Sequence, residues 1–153
     1  MKVTGLIIIV VAAAFSLVGL GAAMSAPDSA SGAATVSTAR TGLGRIIVDG
    51  RGRTLYLFEK DRRGHSACFG NCAVYWPPAL TRGKPMARDG ARQSLLGTIK
   101  RANGKRQVTY AGHPLYRFFQ DTKRGQTKGE GSQAFGAGWD ALSPAGKKIE
   151  RGG

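Results

Sequence analysis

Gly52-Arg53-Thr54-Leu55-Tyr56-Leu57-Phe58-Glu59-Lys60-Asp61 and Gly112-His113-Pro114-Leu115-Tyr116-Arg117-Phe118-Phe119-Gln120-Asp121 are two copies of one pattern, sixty residues apart. Gly, Leu, Tyr, Phe and Asp recur at identical offsets. A duplicated unit sets the architecture before any site is considered. The likeness reaches further: Val48 stands four residues before Gly52 and Val108 four before Gly112, and Gly64 and Gly125 follow the two Asp residues. Trp76-Pro77-Pro78-Ala79-Leu80 closes the first unit and Trp139-Asp140-Ala141-Leu142 the second. Each unit reads as a hairpin, a turn carrying Asp, a variable loop and a Trp-led strand. One such unit is too small to enclose a core, so two pack together with pseudo-twofold symmetry.

Short apolar runs between turn signals predict strands over residues 45–48, 54–59, 96–101, 106–110, 115–120, 139–143 and 147–149. The runs 45–48 and 54–59 read as one hairpin, 96–101 and 106–110 as a second with an Asn103-Gly104 turn, and 139–143 and 147–149 as a third. The one helix expected is short, over 68–75, and ends before Pro77-Pro78. The expected fold is mainly β: a small antiparallel β domain of two tandem repeats, about 44–80 and 104–149, with one short helix near the cysteines. Alternation sends Tyr56 and Phe58 to one face of their strand and Leu55 and Leu57 to the other, as in a sandwiched strand. A buried Tyr hydroxyl needs a partner, and Asp61 and Asp121 stand where each strand turns away. The Tyr and Asp of each copy therefore read as a lock on the strand-to-loop corner. The alternative is a proton-transfer pair, Tyr56 with Asp61 or Tyr116 with Asp121.

These residues carry a resemblance. Tyr56-Leu57-Phe58-Glu59-Lys60-Asp61 and Tyr116-Arg117-Phe118-Phe119-Gln120-Asp121 both fit Tyr-x-aromatic-x-x-Asp, and Cys68-Phe69-Gly70-Asn71-Cys72-Ala73-Val74-Tyr75-Trp76-Pro77-Pro78 is similar to the stretch between them. The chain resembles the bacterial secreted-repeat lipoproteins over nearly all of 44–149. The resemblance implies an exported protein of two tandem repeats with no settled biochemical role. Many relatives carry a lipid-attachment Cys, which the leader here lacks.

Lys2, the uncharged apolar run 6–20 and the small residues Gly21-Ala22-Ala23-Met24-Ser25-Ala26 have the order of an export signal, expected over 1–26. The alternative is an uncleaved anchor, since 5–24 is long enough to span at about 20 residues. Residues 27–40 are mostly Ser, Ala, Gly and Thr and read as a flexible linker. A single domain is expected over 41–153, where about 110 residues bury about 65% of their surface. The destination is the periplasm or the exterior.

The chain has 23 Lys and Arg against 9 Asp and Glu. In an exported protein that excess points away from nucleic acid and toward anionic envelope polymers or lipid headgroups, with peripheral membrane contact. The cations are scattered through turns (Arg51, Arg53, Arg62, Arg63, Arg101, Lys105, Lys123, Arg124, Lys147, Lys148) and are not interleaved with aromatics as in a strand-binding groove.

Cys68 and Cys72 are the only cysteines. In an oxidising compartment they most simply form a disulfide, bracing the loop beside Trp76. The competing reading gathers His65, Cys68 and Cys72, with His113 joining from the second copy, as a copper or zinc site or a thiol-redox centre. No cofactor motif is present. The Gly-rich run 125–138 lacks the Gly-Lys-Ser/Thr ending of a phosphate loop and reads as a flexible loop. No residue stands out as catalytic, and the leading expectation is a non-enzymatic binding or structural module.

Overall fold

The computed structural model describes residues 32–150. The expected export signal lies outside them. Strand β1 (Thr35–Thr41) pairs antiparallel with β2 (Gly44–Asp49) across the two-residue turn Gly42-Leu43. The chain turns through Gly52 into β3 (Tyr56–Phe58), then reaches the short helix α1 (Asn71–Tyr75). Strands β4 (Leu80–Thr81) and β5 (Met86–Ala87) follow, with β5 running parallel to the start of β1. Strands β6 (Leu96–Lys100) and β7 (Arg106–Tyr110) form a hairpin. Strand β8 (His113–Pro114) folds back on β7, and β9 (Trp139–Ala141) pairs antiparallel with β3.

The domain is mainly β with one short α-helix beside the cysteines, as expected. The hairpin at Asn103-Gly104 forms within one residue of its expected bounds. The last hairpin is reduced to a bridge between Leu142 and Lys148. The run 115–120 is not a regular strand but pairs through Tyr116. Two differences are instructive. The linker expected over 27–40 is strand from Thr35 onward. Thr35, Thr38 and Thr41 are β-branched and suit a pleated surface, and Val36 is 1% exposed, seated in the core. Strand β2 takes β1 as its full partner, so the expected pairing of 45–48 with 54–59 shrinks to the Val48–Thr54 bridge and the bond from Leu55 N to Ile47 O.

The repeats are interlaced. Tyr56 and Tyr116 exchange both backbone hydrogen bonds, at 2.8 and 2.9 Å. Outside this pair, Tyr56 bridges Ala141 of the second repeat, and Tyr116 bridges Pro78 of the first. Glu59 N donates to Gly138 O at 2.9 Å, and the equivalent Phe119 N donates to Tyr75 O at 3.0 Å. The Trp-led segment of each copy therefore pairs with the Tyr segment of the other, about a pseudo-twofold axis between the two tyrosines.

The same comparison corrects one equivalence. Ile47 N donates to Leu142 O while Ile47 O accepts from Leu55 N. Val108 N donates to Ala79 O while Val108 O accepts from Leu115 N. Val108 thus corresponds to Ile47, not Val48, because the second copy spends one residue fewer between this position and its Leu.

Two cores flank the central segments. One holds Ile46, Val48, Tyr56, Phe58, Cys68, Cys72, Trp76, Tyr116, Trp139 and Ala141. The other holds Val36, Ile47, Leu55, Leu57, Ala79, Val108, Tyr110, Leu115 and Leu142. Tyr56 and Phe58 face one, and Leu55 and Leu57 the other, so the sandwiched strand is as the alternation predicted.

The Gly-rich run is pinned to the first core. Lys128 N and Gly129 N donate to Asp121 and Tyr56, and Gly131 N donates to Trp139 O. A Cβ on Gly129 would stand 2.8 Å from a Trp76 ring carbon and 3.0 Å from the Phe118 Cβ. Gly129→Ala is therefore expected to lower the unfolding free energy by about 1–3 kcal/mol through overpacking. Gly42→Ala, whose Cβ meets nothing within 4 Å, should stay within about 0.5 kcal/mol. Urea denaturation of both variants checks the pair.

Candidate functional site

Two constellations stand out, one inside the domain and one on its surface. The inner one is the meeting of the two motif copies. Each Asp follows a tight turn, with Asp61 N donating to Phe58 O and Asp121 N to Phe118 O. The tyrosine partners are crossed. The Tyr56 hydroxyl donates to Asp121 at 2.5 Å, and the Tyr116 hydroxyl donates to Asp61 at 2.7 Å. The Tyr–Asp hydrogen bonds thus run between repeats and not within each one. The other carboxylate oxygen caps the following loop: Asp61 accepts from Ala67 N at 2.6 Å and Asp121 from Lys128 N at 3.0 Å.

Above this crossing the aromatic side chains repeat the symmetry. Trp76 and Trp139 stack face to face, with ring centroids 3.9 Å apart. Tyr56 meets Trp76 edge-on at 5.4 Å, and Tyr116 meets Trp139 edge-on at 5.2 Å. Phe58 stacks on Trp139 at 4.0 Å, and Phe118 lies against Trp76 at 4.5 Å. All eight motif residues (Tyr56, Phe58, Asp61, Trp76, Tyr116, Phe118, Asp121 and Trp139) thus meet in one cluster.

The chemistry of this cluster is that of a clamp. Burial, with the adjacent carboxylate, pushes the Tyr56 hydroxyl far above the ordinary tyrosine value, and burial with the Asp61 charge does the same for Tyr116. Burial also raises Asp61 and Asp121, outweighing the hydrogen bonds that favour their charged forms. A phenol used as an acid or base at neutral pH needs its value drawn down toward the working range, and these move away from it. Both tyrosine side chains are closed to solvent.

Cys68 and Cys72 form a disulfide with a Cα separation of 5.2 Å, 0% and 6% exposed. Their sulfurs are therefore not thiolate ligands. Among the described residues no group of three or more His, Cys, Asp or Glu side chains converges as a metal site. The His65 side chain is exposed, while its backbone bridges Arg62. His113 is half-buried on β8, and burial together with the Arg63 charge lowers its pKa. The predicted grouping of His65, Cys68, Cys72 and His113 is thus not assembled. Arg101, expected among the surface cations, is 7% exposed. Its guanidinium donates to Cys68 O and Gln107 Oε1, both at 2.6 Å, and to Ser66 Oγ at 2.9 Å. It ties the cysteine loop to the second hairpin.

The outer constellation was not legible from spacing. An open groove of about 1540 Å³ runs between the 32–37 segment and β4 with the turn that leads into β7. Its lining includes Arg51, Arg53, Arg82, Arg88, Lys105, Arg106 and Arg117, against Asp49 and Asp89. Strand pairing brings these cations together. Arg82 N and Arg88 N donate to Gly32 O and Val36 O, each at 2.9 Å, sewing the β4–β5 region onto the first strand. At the base, Asp49 is 4% exposed and accepts from Arg117 Nε at 2.7 Å, Arg53 Nε at 3.1 Å, and the backbone N–H groups of Arg51 and Arg53. Burial alone would lift its carboxyl, but the two guanidinium groups hold it below the usual carboxylate value. A second depression, lined by Arg51, Arg53, Thr122, Lys123 and Arg124, continues the track past Arg51 and Arg53.

The tyrosine shifts make a prediction for alkaline pH. A phenol raised in the folded state contributes stability that is complete below about pH 10 and is lost as pH rises beyond it. Tyr56 and Tyr116 should therefore ionise only as the domain unfolds. In an alkaline titration, part of the phenolate absorbance should coincide with loss of near-ultraviolet circular dichroism. The Tyr56→Phe/Tyr116→Phe variant should lack that part. Full tyrosine ionisation with the circular dichroism intact would contradict the assignment.

No curated protein and no solved structure matches the chain. A family model described as a secreted repeat of unknown function matches it twice, over residues 37–80 and 97–143. The two matches together cover more than half of the chain, and each contains one Tyr–Asp motif and one Trp of the crossed cluster. The chain belongs to this family of secreted repeats, with two copies folded around each other in one exported protein.

Proposed function

We propose that this protein is a non-enzymatic module of the bacterial envelope that holds a linear anionic polymer along its cationic groove. The observation carrying this reading is the gathering of seven Lys and Arg residues, five of them not paired with Asp49, around one open groove whose lining holds only two acids. Asp49 is already satisfied by Arg53 and Arg117 and adds no open negative site. Six of the seven cations are Arg, whose planar fork suits carboxylate and phosphate oxygens. The continuation past Arg51 and Arg53 toward Lys123 and Arg124 fits an extended ligand better than a small ion. The inner tyrosines, buried and held protonated, support a scaffold role and not catalysis.

Retention on an immobilised polyanion tests the reading. The wild-type protein should elute at a salt concentration well above that of the variant Arg51→Glu/Arg82→Glu/Arg88→Glu. Exposed contacts of this kind are screened by salt. The variant Arg40→Glu/Arg62→Glu/Lys147→Glu carries the same charge change outside the groove lining and should elute close to wild type. Equal losses in both variants would reduce the effect to net charge and contradict a groove site.

A further inference from the structure

The pseudo-twofold relation exposes a place where the two copies have diverged. The corner at which Glu59 N meets Gly138 O is polar, and Glu59 pairs with Lys148 at 2.7 Å. At the equivalent corner, where Phe119 N meets Tyr75 O, the side chains are aromatic. Tyr75 and Phe119 are each 46% exposed, and Phe135 beside them is 40% exposed. The Tyr75 ring stands edge-on to Phe119 at 5.0 Å and tilted to Phe135 at 6.1 Å. The backbone corner closes equally well with Glu and Gly, so the fold does not require these rings. Phe135 also sits in the left-handed region, at φ 63° and ψ 23°, which is uncommon for a bulky residue. Its neighbours Ala134 and Ala137 pack against the core while the aromatic ring is turned outward.

This platform is joined to the cationic groove through one short segment. Arg117, in the groove lining, donates its N–H to Pro77 O, and Phe119 donates to Tyr75 O two residues further along the same segment. Beside Phe135, the Lys60 ammonium lies 3.9 Å from the point a Cβ on Gly136 would occupy. Open ring faces carry a negative quadrupole. The flat C–H face of a pyranose ring is weakly positive and apolar, and it fits such a face. A polyphosphate chain has no apolar face to offer.

We infer that Tyr75, Phe119 and Phe135 form a stacking subsite for sugar rings, so that the ligand of this surface is an acidic polysaccharide. The inference deepens the groove reading and rests on it for the acidic part of the ligand.

The test measures affinity of the exported protein for four probes: polygalacturonate, inorganic polyphosphate, neutral chitohexaose, and phosphatidylglycerol vesicles. Tyr75→Leu/Phe119→Leu keeps apolar bulk and removes the rings, and its thermal midpoint should match wild type. This variant should bind polygalacturonate about tenfold more weakly, with polyphosphate affinity unchanged. The groove variant Arg51→Glu/Arg82→Glu/Arg88→Glu should lose both polyanions. Wild-type affinity for polygalacturonate in the leucine variant would overturn the subsite, as would a loss confined to vesicles, which would make the patch a membrane contact. Should wild-type protein bind neither polyanion, the groove reading fails, and chitohexaose then decides the platform alone. Binding that the leucine variant loses upholds the subsite, and no binding ends it.

Discussion

The crossed hydrogen bonds between Tyr56 and Asp121 and between Tyr116 and Asp61 hold the domain together at its centre. Each phenol is buried and must find an acceptor, and the acceptor each finds belongs to the other repeat. A hydrogen bond to a charged group contributes about 1.5–3 kcal/mol, and a buried acceptor left without its donor costs a similar amount. Either repeat folded alone would face that cost at Tyr and at Asp together. It would also lack the strand that flanks its Tyr segment, since Ala141 pairs with Tyr56 and Pro78 bridges Tyr116. The stacked Trp76 and Trp139 rings close the same junction. Arg117 reaching Asp49 adds a further link between copies at the groove floor.

Much of this was legible in the residues. Duplication, the sandwiched strand, the short helix before Pro77 and the Cys68–Cys72 disulfide follow from offsets, alternation and compartment. The crossing did not, because a Tyr and an Asp at fixed spacing look the same whether they meet within a copy or between copies. The first strand was missed because the 35–41 stretch has only Val36 as a larger apolar residue, and its order comes from pairing on both edges with β2 and β5. Three β-branched threonines and the Gly42-Leu43 turn were the available signals. Matching Val48 with Val108 failed because identity of residue type hid a one-residue deletion that only the hydrogen-bond pattern reveals.

Surface features were less accessible, for a related reason. Arg51, Arg82, Arg88 and Arg106 are scattered in sequence and share a groove only because the start of the first strand lies along the β4–β5 region. Arg101 looks identical to them in sequence yet is buried, holding Cys68 O and Gln107. Symmetry makes the remaining surface informative. Where equivalent corners differ, as Glu59 with Gly138 differs from Phe119 with Tyr75, the fold has not dictated the side chains. The clamp is shared by both copies and builds the scaffold, while the divergent corner and the arginine track are where we propose that recognition lies.

A double-mutant cycle tests the interlocking most directly. Tyr56→Phe is combined with Asp121→Asn in one cycle and with Asp61→Asn in another, each followed by urea denaturation. Tyr56 and Asp121 should couple by about 1–3 kcal/mol, and Tyr56 with Asp61 by much less. Coupling of Tyr56 to Asp61 in its own repeat, with none to Asp121, would contradict the interlaced fold.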